Sequence, residues 1–120
     1  MNLASILFSK MNDSKIPFAE WQKLNFRVAK IIDVKQHPNA DKLYLLDVDL
    51  GNEKRQLVAG LKQHYNPEEL KGKLCIVFTN LEPATIRGIK SEGMILAAVS
   101  DKDVIILQPE KDIELGSKIK

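Results

Sequence analysis

A chain of 120 residues and 13.5 kDa has room for one domain, not for a catalytic domain beside a separate recognition domain. With 44% hydrophobic and 28% charged residues it has the composition of an ordinary soluble globular domain, one that buries well over half of its unfolded surface. The formal net charge of +2 comes with no basic tail or stripe, so charge alone neither selects nor excludes a nucleic-acid partner.

Residues 1–16 read as an N-terminal tail ahead of a domain over 17–120. The plain reading is a frayed tail; Leu3, Ile6 and Leu7 do have helical spacing, which makes a partner-docking turn the alternative. No basic stretch precedes this apolar cluster and no small-residue cleavage pattern follows it, which argues against a signal peptide. Nor does any apolar run approach the ~20 residues that span a bilayer, so a cytoplasmic protein with no membrane partner is expected. The single cysteine, Cys75, lies in the run Leu74-Cys75-Ile76-Val77-Phe78 and reads as a buried thiol in a reducing compartment.

Pro17 suits a first helical position, and Phe18, Trp21 and Leu24 then recur every three residues, which predicts a short amphipathic helix. From Phe26 to Val34 the even positions Phe26, Val28, Ile32 and Val34 are apolar, interrupted by Lys30; this is the period of a half-buried strand. The segment His37-Pro38-Asn39-Ala40-Asp41 reads as a turn. A second strand follows with Tyr44, Leu46, Val48 and Leu50 inward, ending at the hairpin signal Gly51-Asn52. Lys54 to Gly60 is the return strand. Asn66, Pro67 and Glu69 supply an N-cap, a first-turn proline and a capping-box glutamate, with Gly72 at the far end of a short helix. Leu74 to Thr79, apolar on both parities, predicts a covered central strand, and Met94–Val99 and Val104–Leu107 two more. Short strands with one small helix between the third and fourth, and no strand-helix alternation, indicate an all-β Greek-key barrel with a C-terminal extension.

Catalytic constellations are thin. His37, His64 and Cys75 have no ligand-like spacing, so no metal and no cofactor is expected. Asp47 and Asp49, two apart on a strand, share its solvent face, and Gly51 comes one position too early for a calcium loop. Gly88 and Gly93 have the spacing of a phosphate loop, but Met94-Ile95 stands where Lys-[Ser/Thr] is required. The segment from Asn80 to Met94 is richer in donors than a plain connection needs. Asn80, Thr85, Arg87, Lys90 and Ser91 are residues of the kind that hold phosphate and sugar oxygens, while a solvated hairpin explains the same composition without a ligand.

The segments His37-Pro38-Asn39-Ala40-Asp41-Lys42-Leu43, Leu57-Val58-Ala59-Gly60-Leu61 and Asn80-Leu81-x-Pro83-x-x-Ile86-Arg87-Gly88-x-x-Ser91-x-Gly93-Met94-x-Leu96-Ala97 resemble the tRNA-binding domain family. That family includes the C-terminal domain or separate beta subunit of methionyl-tRNA synthetase, free-standing tRNA-binding proteins and a secretion-chaperone branch. The resemblance implies a five-stranded OB-fold barrel, a homodimer and a non-catalytic module that grips tRNA by shape and backbone, as a partner of a methionyl-tRNA synthetase. It places Arg87, Lys90 and Ser91 against phosphates, has Asn80, Thr85 and Met94 shape the groove, and sets Lys42 at its flank. A peptide-binding chaperone using the same groove is the alternative. Two departures weaken the charge of the groove: the pattern commonly carries lysine where Thr85 stands and a basic residue where Glu82 stands. A strand-one glycine is replaced by Ala29. Ile113, Leu115 and Ile119, with no obvious place in a five-stranded barrel, are expected to form the dimer contact.

Overall fold

The computed structural model describes residues 14–120, so Leu3, Ile6 and Leu7, read as part of a tail with a docking turn as the alternative, lie outside the described residues. Helix α1 (Phe18–Gln22) leads into strands β1 (Phe26–Gln36), β2 (Tyr44–Asp49) and β3 (Lys54–Ala59). Helix α2 (Pro67–Leu70) precedes β4 (Leu74–Phe78), β5 (Ala84–Ile86), β6 (Ile89–Ser91), β7 (Met94–Ile95), β8 (Ala97–Val99) and β9 (Val104–Ile106). An antiparallel sheet in the order β3-β2-β1-β4-β7 curls into a nearly closed barrel, with β5–β6 and β8–β9 as separate hairpins. This is the all-β, OB-like architecture expected.

β1 serves two neighbours in succession. Phe26 to Lys30 pair with β4, and Lys30 to Gln36 pair with β2, with the register shifting between Ile31 and Asp33. A bulge there bends the strand around the barrel. It also breaks the simple alternation expected, with Ile31 buried and Ile32 only half-buried, while Val28 and Ala29, ahead of the bulge, are both buried. Ala29 is fully enclosed, so the residue that replaces glycine fits. β2 keeps the expected parity, with Tyr44, Leu46, Val48 and Leu50 inward, and β4 buries Cys75, Ile76 and Val77 between two neighbouring strands.

α2 begins as expected: Asn66 donates its backbone N–H to Glu69 Oε1 at 2.7 Å and Pro67 occupies the first turn. Met94–Val99 is not one strand. Leu96 is the pivot: its N–H still reaches the Ile76 carbonyl of β4 at 3.0 Å while its carbonyl accepts from Leu107 at 3.0 Å, and β8 then pairs with β9. In α1, Pro17 stands just before the helix rather than inside it, and no residue of the helix is buried. Phe18 remains 68% exposed, while Trp21 leans on Phe26 at 5.7 Å and Phe26 on Phe78 at 5.0 Å.

The C-terminal extension has a place in its own chain. Gly116 donates to the Val28 carbonyl at 2.8 Å, Val28 to Ser117 at 2.9 Å and Ile119 to Phe26 at 2.9 Å, along the stretch of β1 that β2 leaves unpaired. Leu115 and Ile119 are half-buried there, and only Ile113 stays exposed. Contrary to expectation, Leu115 and Ile119 thus have a place within their own chain, because β1 overhangs β2 and supplies it.

Candidate nucleic-acid interface

The loop between β1 and β2 and the insertion between β4 and β7 meet at one end of the barrel. The insertion is the β5–β6 hairpin, pairing Ala84 with Ser91, Thr85 with Lys90 and Ile86 with Ile89. Only Arg87 and Gly88 connect the two strands, and their φ angles are +52° and +88°. Positive φ at both central residues is the signature of a type I′ turn, the connection whose twist matches a hairpin. Glycine adopts it freely, but an arginine there costs roughly 1–2 kcal/mol.

The β1–β2 loop offsets this strain. His37, only 5% exposed, has Nε2 3.0 Å from the Ile86 carbonyl, and Asn39 donates its side-chain amide to the Arg87 carbonyl at 3.2 Å. Arg87 thereby lines an open depression of about 500 Å³ together with Asn39, Ala40, Asp41, Lys42 and Leu43. Across the hairpin, exposed Lys90 is the cross-strand partner of exposed Thr85, so both share one face. Among the described residues no carboxylate forms an ion pair with Lys42, Arg87 or Lys90. In the depression Lys42 and Arg87 stand against the single acid Asp41, with Lys90 on the adjoining hairpin, an arrangement suited to an anion.

The other expected site residues are distributed differently. Ser91, expected against a phosphate, is instead buried, and its hydroxyl accepts the Val58 N–H at 3.0 Å and donates its proton to the Gly93 carbonyl at 2.9 Å. Asn80 is occupied as a brace, accepting the Asn25 N–H at 2.8 Å and donating to the Lys23 carbonyl at 2.6 Å. Met94 is 51% exposed but pairs with Phe78, which places it with the aromatic side chains rather than with Arg87. Glu82 lines a different cavity, of about 420 Å³, with Glu53, Glu92, Lys54, Arg55 and Asn80, where carboxylates outnumber cations.

Sequence reasoning missed His37, Asn39 and Arg55. Arg55 donates to the Thr79 and Glu92 carbonyls and pairs with Glu53 at 2.6 Å, tying β3 to both ends of the insertion. Arg-Gly between Ile86 and Ile89 is not one of the usual two-residue hairpin pairs, so Gly88 alone pointed to the turn. The 49-residue reach from His37 to Ile86 was not legible in the sequence. No cluster of three or more metal-ligating side chains occurs among the described residues, and no helix among them is long and apolar enough to cross a membrane. Burial pushes the Cys75 thiol up to about 12, well away from a nucleophile's range.

An OB-like barrel with exposed cations on its β1–β2 loop and on the insertion after β4 has its charge where such barrels receive oligonucleotides. The family model "Putative tRNA binding domain" matches residues 26–118, and the chain belongs to that family. It is 53% identical over 105 residues to a methionine–tRNA ligase of Pyrococcus horikoshii, an alignment covering 88% of this chain and 14% of the ligase. The chain thus spans about one seventh of such relatives. Among solved structures it resembles a MetRS-related protein of Pyrococcus horikoshii, with a TM-score of 0.84, 29% identity and coverage of 89% and 99% of the two chains. It also resembles the chaperone CsaA of Bacillus anthracis, with a TM-score of 0.81, 28% identity and coverage of 89% and 100%.

Proposed function

We propose that the chain is a non-catalytic, cytoplasmic tRNA-binding module that serves as accessory beta subunit or trans-acting cofactor of a methionyl-tRNA synthetase. The observation that carries this reading is the convergence of Lys42 and Arg87 on one depression, with Lys90 on the adjoining hairpin. Guanidinium and ammonium groups free of carboxylate partners bind phosphate oxygens and carry no sequence information, so recognition is of the folded RNA backbone. Base stacking is not the basis: Phe26, Phe78 and Trp21 pack on one another, and no aromatic side chain lines the depression. Few ionic contacts per protomer make binding weak and salt-sensitive, which a homodimer with two sites offsets by avidity. The exposed apolar surface of α1, with Phe18 and Trp21 beside Ile119, is the dimer face in this reading.

The experiment is a filter-binding titration of bulk tRNA at two salt concentrations, with the wild type and Arg87→Ala. Affinity falls with salt, and Arg87→Ala weakens it and lowers the slope of log affinity against log salt by about 0.7–0.9, one phosphate contact. Binding that ignores salt, together with capture of extended apolar peptides, overturns the reading in favour of the chaperone alternative, which the likeness to CsaA supports.

A further inference from the structure

We infer that His37 and Asn39 are positioning residues, which hold the strained Arg87–Gly88 turn so that the Arg87 guanidinium is presented to an RNA phosphate beside Lys42. The inference rests on the reading of Arg87 as a backbone contact. Asn39 directs its backbone N–H to His37 Nδ1 at 3.0 Å, so Nδ1 acts as acceptor and carries no proton. The ring proton is then on Nε2, where it is donated to the Ile86 carbonyl at 3.0 Å. The next carbonyl along, that of Arg87, takes the Asn39 side-chain amide. His37 also donates its own N–H to Leu43 at 3.2 Å, which closes the loop that carries Lys42. One buried imidazole therefore links the segment bearing Lys42 to the segment bearing Arg87.

The link matters because β5 and β6 have three residues each and stand outside the main sheet. A two-stranded hairpin of that length is marginal by itself, and an arginine with positive φ at its tip makes it more so. Two hydrogen bonds to consecutive tip carbonyls fix the turn before RNA arrives, so the ordering cost is not charged against binding.

The test combines tRNA filter binding with the rate of tryptic cleavage after Arg87 in the folded protein. Arg87→Ala weakens binding about three- to tenfold, the scale of one exposed charge-assisted contact. His37→Asn keeps an acceptor near Asn39 but falls short of Ile86, so it weakens binding by a similar factor and speeds cleavage after Arg87; Asn39→Ala does the same. In an Arg87→Ala background neither change weakens binding further. His37→Gln, whose amide nitrogen reaches where Nε2 stood, restores both affinity and protection. Equal losses from His37→Asn in both backgrounds overturn the inference, since a general loss of structure acts whether or not Arg87 is present. An unchanged cleavage rate in both His37→Asn and Asn39→Ala overturns it whatever tRNA binding does. If cleavage accelerates while Arg87→Ala binds normally, the brace stands and the reading of Arg87 as an RNA contact falls.

Discussion

The Ser91 hydroxyl accepts the amide proton of Val58 at 3.0 Å, so a side chain stands in for the backbone rung that β3 lacks at the barrel seam. The neighbouring Glu92 N–H reaches the Gln56 carbonyl at 2.9 Å and completes the closure. Ser91→Ala leaves a buried amide without an acceptor, at a cost of about 1–3 kcal/mol. Urea denaturation should show that loss, and tRNA affinity measured well below the unfolding transition should be unchanged. A selective loss of affinity with full stability would return Ser91 to the binding surface.

Arg87→Asn separates strain from charge. Asparagine tolerates positive φ better than arginine, so the variant should be as stable as the wild type or more so, by up to about 1 kcal/mol in urea. Its tRNA affinity should fall as far as that of Arg87→Ala. Affinity retained alongside higher stability would show that the guanidinium contributes nothing to binding.

Thr85→Lys places a second ammonium opposite Lys90 on the same hairpin face. If that face meets the RNA backbone, the slope of log affinity against log salt steepens by about 0.7–0.9 and the gain is largest at low salt. Lys102→Glu, in the turn between β8 and β9, is the control for net charge, since exposed charges beyond roughly 10 Å are screened. Opposite changes in proportion to the charge altered, −2 at position 102 against +1 at position 85, would mean that overall charge governs binding.

Cys75 sets a pH limit. Its folded-state value of about 12 lies above the ordinary thiol value of 9.0 because burial disfavours the thiolate. Above pH 9 the unfolded chain gives up this proton while the folded chain keeps it, so stability is lost as pH rises, by about 1.4 kcal/mol per unit at most. Cys75→Ala should lessen that alkaline slope, read from urea midpoints between pH 8.5 and 10.5. The folded wild type should also resist alkylation by iodoacetamide at pH 8.

Light scattering at micromolar concentration should find a dimer for the wild type and a monomer for a Phe18→Asp, Trp21→Asp variant. The reason is that α1 buries none of its residues, leaving Phe18 68% exposed and Trp21, against Phe26, still 39% exposed. A monomeric wild type would remove the avidity on which the proposed tRNA affinity depends.

Elements governed by local chemistry were legible in the sequence. Tyr44 to Leu50 alternate because one face of β2 meets the core, and Asn66, Pro67 and Glu69 start α2 through contacts within three residues. β1 was legible only in part, since a bulge is decided by the two partners the strand must serve, and one of them, β4, is distant in sequence. The candidate site divides in the same way. Arg87, Lys90 and Lys42 carry charge that a sequence shows directly. Ser91 and Asn80 were placed among them by residue type, although their polar groups are taken up by Val58, Gly93, Asn25 and Lys23, which only the folded chain brings within reach.

The seating of residues 116–119 along β1 closes an edge of the sheet. An unpaired strand edge is a template for any other extended chain. Here the edge from Phe26 to Val28 is occupied by the protein's own C-terminal segment, and Arg27 fastens that segment by donating to the Gly116 carbonyl at 3.0 Å. Gly116, at φ +86°, comes so near the β2–β3 turn that an added methyl group would lie 2.6 Å from the Leu50 carbonyl oxygen. The last residues of the chain therefore act as a built-in blocking strand, and a protease that trimmed them would turn a quiet surface into a self-adhesive one.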